Sequence, residues 1–380
     1  MKVVYLINGL NGGGAAFPMV QVLGLMQELG HEVKVLALLP QDGKAGPRLA
    51  QAGIRYEVLG NHPWALFGPA LRLLRRLRDD RPDLLWTSLT RGTLYGQLAG
   101  RLLGIPVVSW QHSDFLKPAN LAILRRTRRL SLRWIADSAA VAEFTRLRLG
   151  IPADRIDVWA PFVADPGLPV ATGWPGSGPL RLGSLGRLHH SKQYAVLLRA
   201  FARARELDAA SAARLELHLA GDGEERAALE SLAAELGLVE VLRFRGFVSP
   251  PAEFLSGLHG YVQTSLKEGF CIAAHEAMLA GLPVIATRVG ELARSVRPGE
   301  TGWLCEVGDV EALARAMLEL ASDPARAAAM GAAARAQVLE RHSRERFRSI
   351  GELLLQVISR EVADGRRDAD AARSASSQHR

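Results

Sequence analysis

Two glutamates, Glu268 and Glu276, flank the turn in "SLKEGFCIAAHEAM" (265–278). The stretch reads as the end of a strand near Ser265, a turn at Gly269 and a helix running to about Ala280. On one continuous helix the two carboxylates would lie roughly 12 Å apart along the axis. That is too far to share a proton or a metal ion. The spacing suits a long ligand whose middle sits at the helix start, where unpaired N–H groups and the positive dipole end favour a phosphate. A nucleotide-sugar has that form, with hydroxyls on ribose and sugar and a pyrophosphate between them. Two solvated glutamates beside a helix are the alternative.

A second constellation is "GSLGRLHHSKQY" (183–194), which follows an apolar run. Arg187 and Lys192 form a positive pair on a glycine-bearing loop before a helix. Such a pair stabilises the charge that develops on a departing diphosphate. An Arg and a Lys at a solvated strand end are the plainer reading. His112, in "SWQHSDF", also stands at a strand end, either hydrogen-bonded in place or facing a ligand.

These residues need elements to hold them. "KVVYLING", the glycine loop "LNGGG", the helical "FPMVQVLGLMQELG" and "EVKVLALL" make a βαβ opening. Further apolar runs ("DLLWTS", "PVVSWQH", "WIADS") alternate with helical segments, which predicts a parallel sheet covered by helices. A Pro/Gly-rich run, 164–179, interrupts the alternation as a linker, and the pattern resumes with "LRLGSLGRL", "LELHLAGDG", "VLRFRGF", "GYVQTS" and "PVIATR". Asp309 and Asp323 are placed as N-caps. The fold expected is α/β, with two Rossmann-like doubly wound domains, 1–163 and 180–342, facing a central cleft where ligands meet the carboxyl ends of the strands. A helix over 343–362 is expected to return to the first domain, and the polar tail 363–380 to be disordered.

The bulk numbers exclude several classes. With 380 residues, 48% hydrophobic and 23% charged, the chain can build two cores. The cysteines Cys271 and Cys305 give no disulfide framework and no zinc spacing. No apolar run approaches about 18 residues, and no leader pattern is present, so the cytoplasm is expected. The net charge of +8 comes from the first half of the chain, much of it from "ALRLLRRLRDDRP" (70–82) and "LAILRRTRRLSLRW" (121–134). Both mix apolar and basic residues at helical spacing. They read either as ordinary amphipathic helices or as a peripheral contact with the anionic inner face of the plasma membrane. No helix-turn-helix, RNA-binding or zinc-finger pattern supports a nucleic-acid partner.

"GRLHHSK", "AGDGEER" (220–226), "TSLKEGF" with Glu276, "GLPVIAT", "TGWLCEVGD" and "MGAAAR", in this order and spacing, resemble the retaining GT-B glycosyltransferases of family four, the group 1 glycosyltransferases. The likeness covers 180–342 closely and 1–162 more loosely, through "GGG", "GIPVVSWQH" and "ADS". It implies a nucleotide-sugar donor on the second domain and an acceptor mainly on the first. By the same resemblance, Arg187 and Lys192 match the diphosphate grip and Glu276 the ribose contact. Glu268 matches the contact to the transferred sugar, with Gly269, Phe270 and Cys271 beside the donor. His112 matches an active-site histidine, and Gly12, Gly13 and Gly14 match a glycine loop facing the diphosphate. The sequence departs from the family at "GGGAAFP", which lacks an acidic residue after the loop, at Phe162 and Val163, and at Glu291 and Arg294.

The activity so implied is transfer of a hexosyl group, with retention, to a lipid-linked or oligosaccharide acceptor in cell-surface or extracellular glycan synthesis. No cofactor, metal or separate base is expected; the one Asp-x-Asp, at 368–370, falls in the polar tail. An NAD(P)-dependent oxidoreductase fits the outline but not the residues: "GLNGGG" is not G-x-G-x-x-G, and "VKVLALLPQ" ends without an acid. A catalytically silent GT-B protein and a sugar-nucleotide epimerase are the remaining alternatives.

Overall fold

The computed structural model describes residues 1–11, 16–62 and 67–377. Gly12, Gly13 and Gly14 lie outside the described residues. The chain divides into two compact units, Met1–Phe162 with Glu345–Arg380, and Val163–Arg344.

In the first unit the order is β1 (Lys2–Gly9), α1 (Ala16–Glu28), β2 (Glu32–Leu39), α2 (Gly46–Gln51), β3 (Arg55–Val58) and α3 (Phe67–Asp80). Then come β4 (Leu84–Ser88), α4 (Thr90–Leu103), β5 (Val107–Gln111), α5 (Pro118–Thr127), β6 (Arg133–Ala136), α6 (Ala139–Phe144) and β7 (Ile156–Val158). The strands make one parallel sheet, β3-β2-β1-β4-β5-β6-β7. Val3 to Ile7 are fully buried, as expected of a central strand covered by helices on both faces. Helices form where apolar positions recur at helical spacing: Leu73 and Leu77 bury one side of α3, leaving its arginine-rich side outward.

The second unit carries β8 (Leu180–Leu185), α7 (Tyr194–Leu207), α8 (Ala209–Ala212), β9 (Leu215–Ala220), α9 (Arg226–Glu235), β10 (Leu242–Gly246) and α10 (Ala252–Ser256). It continues with β11 (Gly260–Gln263), α11 (Ile272–Leu279), β12 (Val284–Thr287), α12 (Leu292–Ser295), β13 (Gly302–Cys305), α13 (Val310–Ser322) and α14 (Pro324–Arg341). Its sheet is also parallel, β10-β9-β8-β11-β12-β13. Asp309 caps α13 by accepting from the Ala312 amide, and Asp323 caps α14 by accepting from Arg326, with Pro324 at the first turn.

Three features differ from the sequence reading. The Pro/Gly-rich run 164–179, read as a linker, belongs to the second unit. Trp174 is buried in the second core, the Ala171 amide donates to Ala280 O at 2.7 Å, and Arg335 holds Pro166 O at 2.7 Å. The segment 121–134 is not one helix. It passes from α5 through a short turn at Arg128–Leu130 into β6, because Trp134 belongs to the strand and is buried. Of the polar tail, residues 363–377 are helical rather than disordered: α15 (Arg344–Ser377) runs well past residue 362. Alanines interspersed with Arg and Asp favour helix, the Arg367–Asp364 pair at 3.0 Å adds local support, and Arg366 reaches Asp83.

α15 docks on the first unit. Leu354, Leu355, Ile358 and Val362 are buried, Arg348 pairs with Glu28 at 2.6 Å, and Arg133 joins Glu361 at 2.8 Å. Its anchor is Trp159, whose indole N–H donates to Phe347 O at 3.2 Å. Trp159 stacks on Trp110 (5.8 Å, 7°) and meets Trp86 edge-on at 6.3 Å. Replacing Trp159 with Ala leaves a hole in this cluster and should destabilise the first unit by about 3–5 kcal/mol. Urea denaturation followed by tryptophan fluorescence would show it as an earlier transition; an unchanged transition would mean that the aromatic cluster does not hold the helix.

Candidate functional site

In the second unit, the neighbours β8 and β11 flank the point where strand order reverses, the usual ligand position in such sheets. The chain leaving β8 carries Arg187 on an exposed loop and then makes a single tight turn, His190–Lys192, before α7. His189 caps that turn: its Nδ1 accepts from the Ser191 amide at 3.2 Å. The turn is stitched to the segment after β11. The Thr264 hydroxyl donates to Lys192 O at 3.0 Å, and the Leu266 amide to Ser191 O at 2.9 Å.

This stitching brings Lys192 and Glu268 together, Nζ to Oε1 at 2.6 Å. The same carboxylate oxygen accepts from the Ser265 hydroxyl at 2.6 Å and from Gln263 Nε2 at 3.4 Å. Burial alone would pull the Lys192 ammonium down. The charge and hydrogen bond of Glu268, with nearby Cys271 and Tyr194, outweigh it and hold Lys192 above the ordinary lysine range. The ammonium therefore stays charged at neutral pH.

The backbone after Glu268 is tightly held. Gly269, Phe270 and Cys271 are buried, and Cys271 sits in the left-handed region (φ +64°) at the start of α11. Gly290, also left-handed (φ +49°), lies so close that a Cβ there would overlap the Glu268 carbonyl oxygen. The Glu291 amide donates to Gly269 O at 3.0 Å. The departure at Glu291 thus leaves a main-chain contact in place, while Arg294 lies within α12. Phe162, the departure at the end of the first unit, is buried. Glu276 sits half-buried in α11.

His275 braces the same loop. It is fully buried, stacks on Phe270 (3.9 Å, 16°), and approaches Cys271 O with Nδ1 at 3.0 Å and the Ser295 hydroxyl with Nε2 at 2.9 Å. A carbonyl only accepts, so Nδ1 carries the proton and Nε2 accepts from Ser295. Burial lowers the His275 pKa to about 4, which keeps it neutral.

His112 belongs to the first unit, just past β5, and stacks on Trp110 at 5.3 Å. Its Nδ1 lies 3.0 Å from both oxygens of Asp137, and its Nε2 lies 2.6 Å from the Ser88 hydroxyl. The carboxylate fixes Nδ1 as the protonated nitrogen in the neutral ring, with Nε2 as acceptor. The sequence reading did not single out Ser88 or Asp137. "ADS" contained the signal for Asp137; Ser88 meets His112 only because β4 and β5 are neighbours.

Among the described residues, one group could offer three ligand atoms to a metal: His189, His190 and Glu224, within 4.8 Å of one another. His189 accepts the Ser191 amide at Nδ1, so Nε2 bears the proton and is not a ready ligand.

Comparison with known proteins supplies the context for this geometry. Residues 175–337 match the family described as glycosyl transferases group 1, and 12–165 match glycosyltransferase family 4. A GDP-mannose-dependent alpha-mannosyltransferase of Mycobacterium tuberculosis (strain CDC 1551 / Oshkosh) is 29% identical, over 78% of this chain and 81% of its own. The lipopolysaccharide core biosynthesis glycosyltransferase LpsE of Rhizobium meliloti (strain 1021) is 26% identical, over 85% and 89%. Among solved structures, Anabaena Alr3699/HepE in complex with UDP-glucose superposes with a TM-score of 0.80 at 22% identity, covering 94% of this chain and 99% of that one. The two parallel sheets share the GT-B architecture of such structures.

The state of His275 has a measurable consequence. Its folded pKa lies below the ordinary histidine value of 6.5, so the unfolded chain takes up a proton that the folded chain refuses. Stability should be full above pH 6.5 and fall as pH drops toward 4, by about 2 kcal/mol between pH 7 and 5 from this residue. His259, pushed to about 4 by burial and by Arg181, acts in the same direction. Thermal melts across this range should show a shallower dependence in His275→Gln than in the wild type. Equal slopes would show that His275 is not held neutral.

Proposed function

We propose that this chain, which belongs to the glycosyltransferases of group 1, moves a hexosyl group from a nucleoside-diphosphate sugar to a lipid-linked or oligosaccharide acceptor, with retention of anomeric configuration. The second unit takes the donor and the first the acceptor. Arg187 and Lys192 meet the diphosphate, helped by the backbone N–H groups of Gly269, Phe270 and Cys271 at the start of α11. Glu276 accepts from the ribose hydroxyls. Gly13 and Gly14, outside the described residues, are assigned to the diphosphate by the family resemblance alone.

The observation that carries this reading is the Lys192–Glu268 pair at 2.6 Å. Before donor arrives, the ammonium and the carboxylate satisfy one another. A diphosphate competes for Lys192, and Glu268, still held by Ser265 and Gln263, turns its acceptor capacity to a hydroxyl of the sugar. As the C1–O bond breaks through an oxocarbenium-like state, Arg187 and Lys192 stabilise the departing diphosphate. The acceptor hydroxyl attacks from the same face, and the departing phosphate oxygen takes its proton. His112, oriented by Asp137 and Ser88, is the candidate active-site histidine of the first unit. No metal and no further cofactor enters this scheme.

Support for the polysaccharide setting comes from the relatives, of which one is named for lipopolysaccharide core synthesis and another for a GDP-mannose donor. We propose that the reaction runs on the cytoplasmic side.

The test is a thermal-shift panel of UDP, GDP, ADP and NAD⁺, on the wild type and on Arg187→Ala/Lys192→Ala. A nucleoside diphosphate at about 100 times its Kd should add roughly 2.7 kcal/mol of stability. The expected result is a shift with one nucleoside diphosphate that disappears in the double variant. A shift with NAD⁺ alone would contradict the proposal, and silence with every ligand would favour a GT-B scaffold without turnover.

A further inference from the structure

α3, α4 and α5 connect consecutive strands from β3 to β6 and pack side by side on the first unit, α3 on α4 and α4 on α5. Each buries small or apolar residues inward: Leu73 and Leu77 from α3, Gly96 and Ala99 from α4, Leu124 from α5. The outward stripes are unusual for helices that meet only water. Leu71, Leu98 and Leu102 are 60%, 58% and 64% exposed, and Ile123 is 44% exposed. Exposed arginines are interleaved with them, Arg75 and Arg78 on α3, Arg101 on α4, and Arg125 and Arg126 on α5.

Acidic residues are nearly missing from this face. α4 and α5 contain no Asp or Glu, and α3 has only Asp79 and Asp80 at its end, where Asp80 turns to Lys34 at 2.7 Å. Solvated helices ordinarily mix both signs and few large aliphatics. Aliphatic side chains standing between arginines, with the acids held to the margin (Asp79 and Asp80 at the end of α3, Glu57 on Arg76 at 2.8 Å), match the boundary between lipid headgroups and acyl chains. A second copy of this chain is a poor occupant, since it would bring one cationic face against another. A nucleic acid would satisfy the arginines and leave the leucines in water.

We propose that the outer face of α3, α4 and α5 is a docking surface for an anionic lipid bilayer, with Leu71, Leu98, Leu102 and Ile123 entering the interface and the arginines meeting the headgroups. The surface is assembled by the fold. Leu98, Arg101 and Leu102 on α4 complete a face of which only the α3 and α5 margins stand out in the sequence. The proposal bears on where a lipid-linked acceptor would be met, but its test needs neither donor nor acceptor. Failure here would leave the transfer reaction untouched, and failure of the nucleotide panel would leave this surface standing.

The experiment is flotation of the full chain with vesicles of phosphatidylcholine alone or mixed equally with phosphatidylglycerol, at low salt and at about 0.5 M salt, where screening is nearly complete beyond contact. The chain should float with the anionic vesicles at low salt and not with the neutral ones. Arg75→Glu/Arg101→Glu/Arg126→Glu should weaken partition roughly a hundredfold, from a few-fold for each arginine. Leu71→Ser/Leu98→Ser/Leu102→Ser should weaken it roughly tenfold or more. Leu102→Ser alone gives the same direction should the triple variant fail to fold. The proposal is overturned if the wild type ignores anionic vesicles at low salt. It is equally overturned if the arginine changes abolish flotation while the leucine changes leave it intact, which would mark a purely electrostatic surface for another polyanion.

Discussion

The site of the second unit depends on one ion pair, Lys192 with Glu268, at 2.6 Å. The two residues come from the ends of β8 and β11, neighbouring strands far apart in the chain. Taking both charges out of water is costly, and a structural pair at such a place would give little net stability. In the proposed reaction, what it provides is readiness. The cation is positioned and kept charged, and the carboxylate is positioned by Ser265 and Gln263 independently of the cation. Either partner can turn to a ligand without losing its place.

Much of the surrounding structure serves to hold that pair. The Thr264 hydroxyl and the Leu266 amide tie the two loops together, and the close approach at Gly290 fixes the path of Glu268. His275, neutral and wedged under Phe270, spans Cys271 and Ser295 and so joins the loop to α12. The first unit uses the same economy with a different residue type. Asp137 and Ser88, from the ends of adjoining strands, fix both nitrogens of His112, while Trp110 fixes its plane. In both units chemistry-bearing side chains sit where parallel strands end, because only there do several neighbouring strands release their chains on one side.

The sequence revealed elements whose cause is local. Apolar runs such as "KVVYLING" became strands, and Asp309 and Asp323 capped helices through their own near neighbours. It identified Lys192 and Glu268 separately but not as partners, since nothing local encodes a contact made through strand order. Ser88 was invisible for the same reason. Trp174 shows the opposite failure: its Pro/Gly-rich surroundings read as a linker, yet its large apolar ring is buried in the second core. In the tail, composition suggested disorder while alanine content and Arg–Asp spacing favoured helix, and the helix prevailed.

The most direct measurement of the account is a comparison of binding and turnover in Glu268→Gln. If Lys192 serves the diphosphate and Glu268 the sugar, removing the carboxylate charge releases the ammonium without removing it. Calorimetric titration with the nucleoside diphosphate that binds the wild type should then give an equal or tighter Kd. Transfer should fall by roughly a hundredfold, as expected when a reacting group is no longer held in register. A matching loss of diphosphate affinity, or turnover at the wild-type rate, would contradict the division of labour on which the mechanism rests.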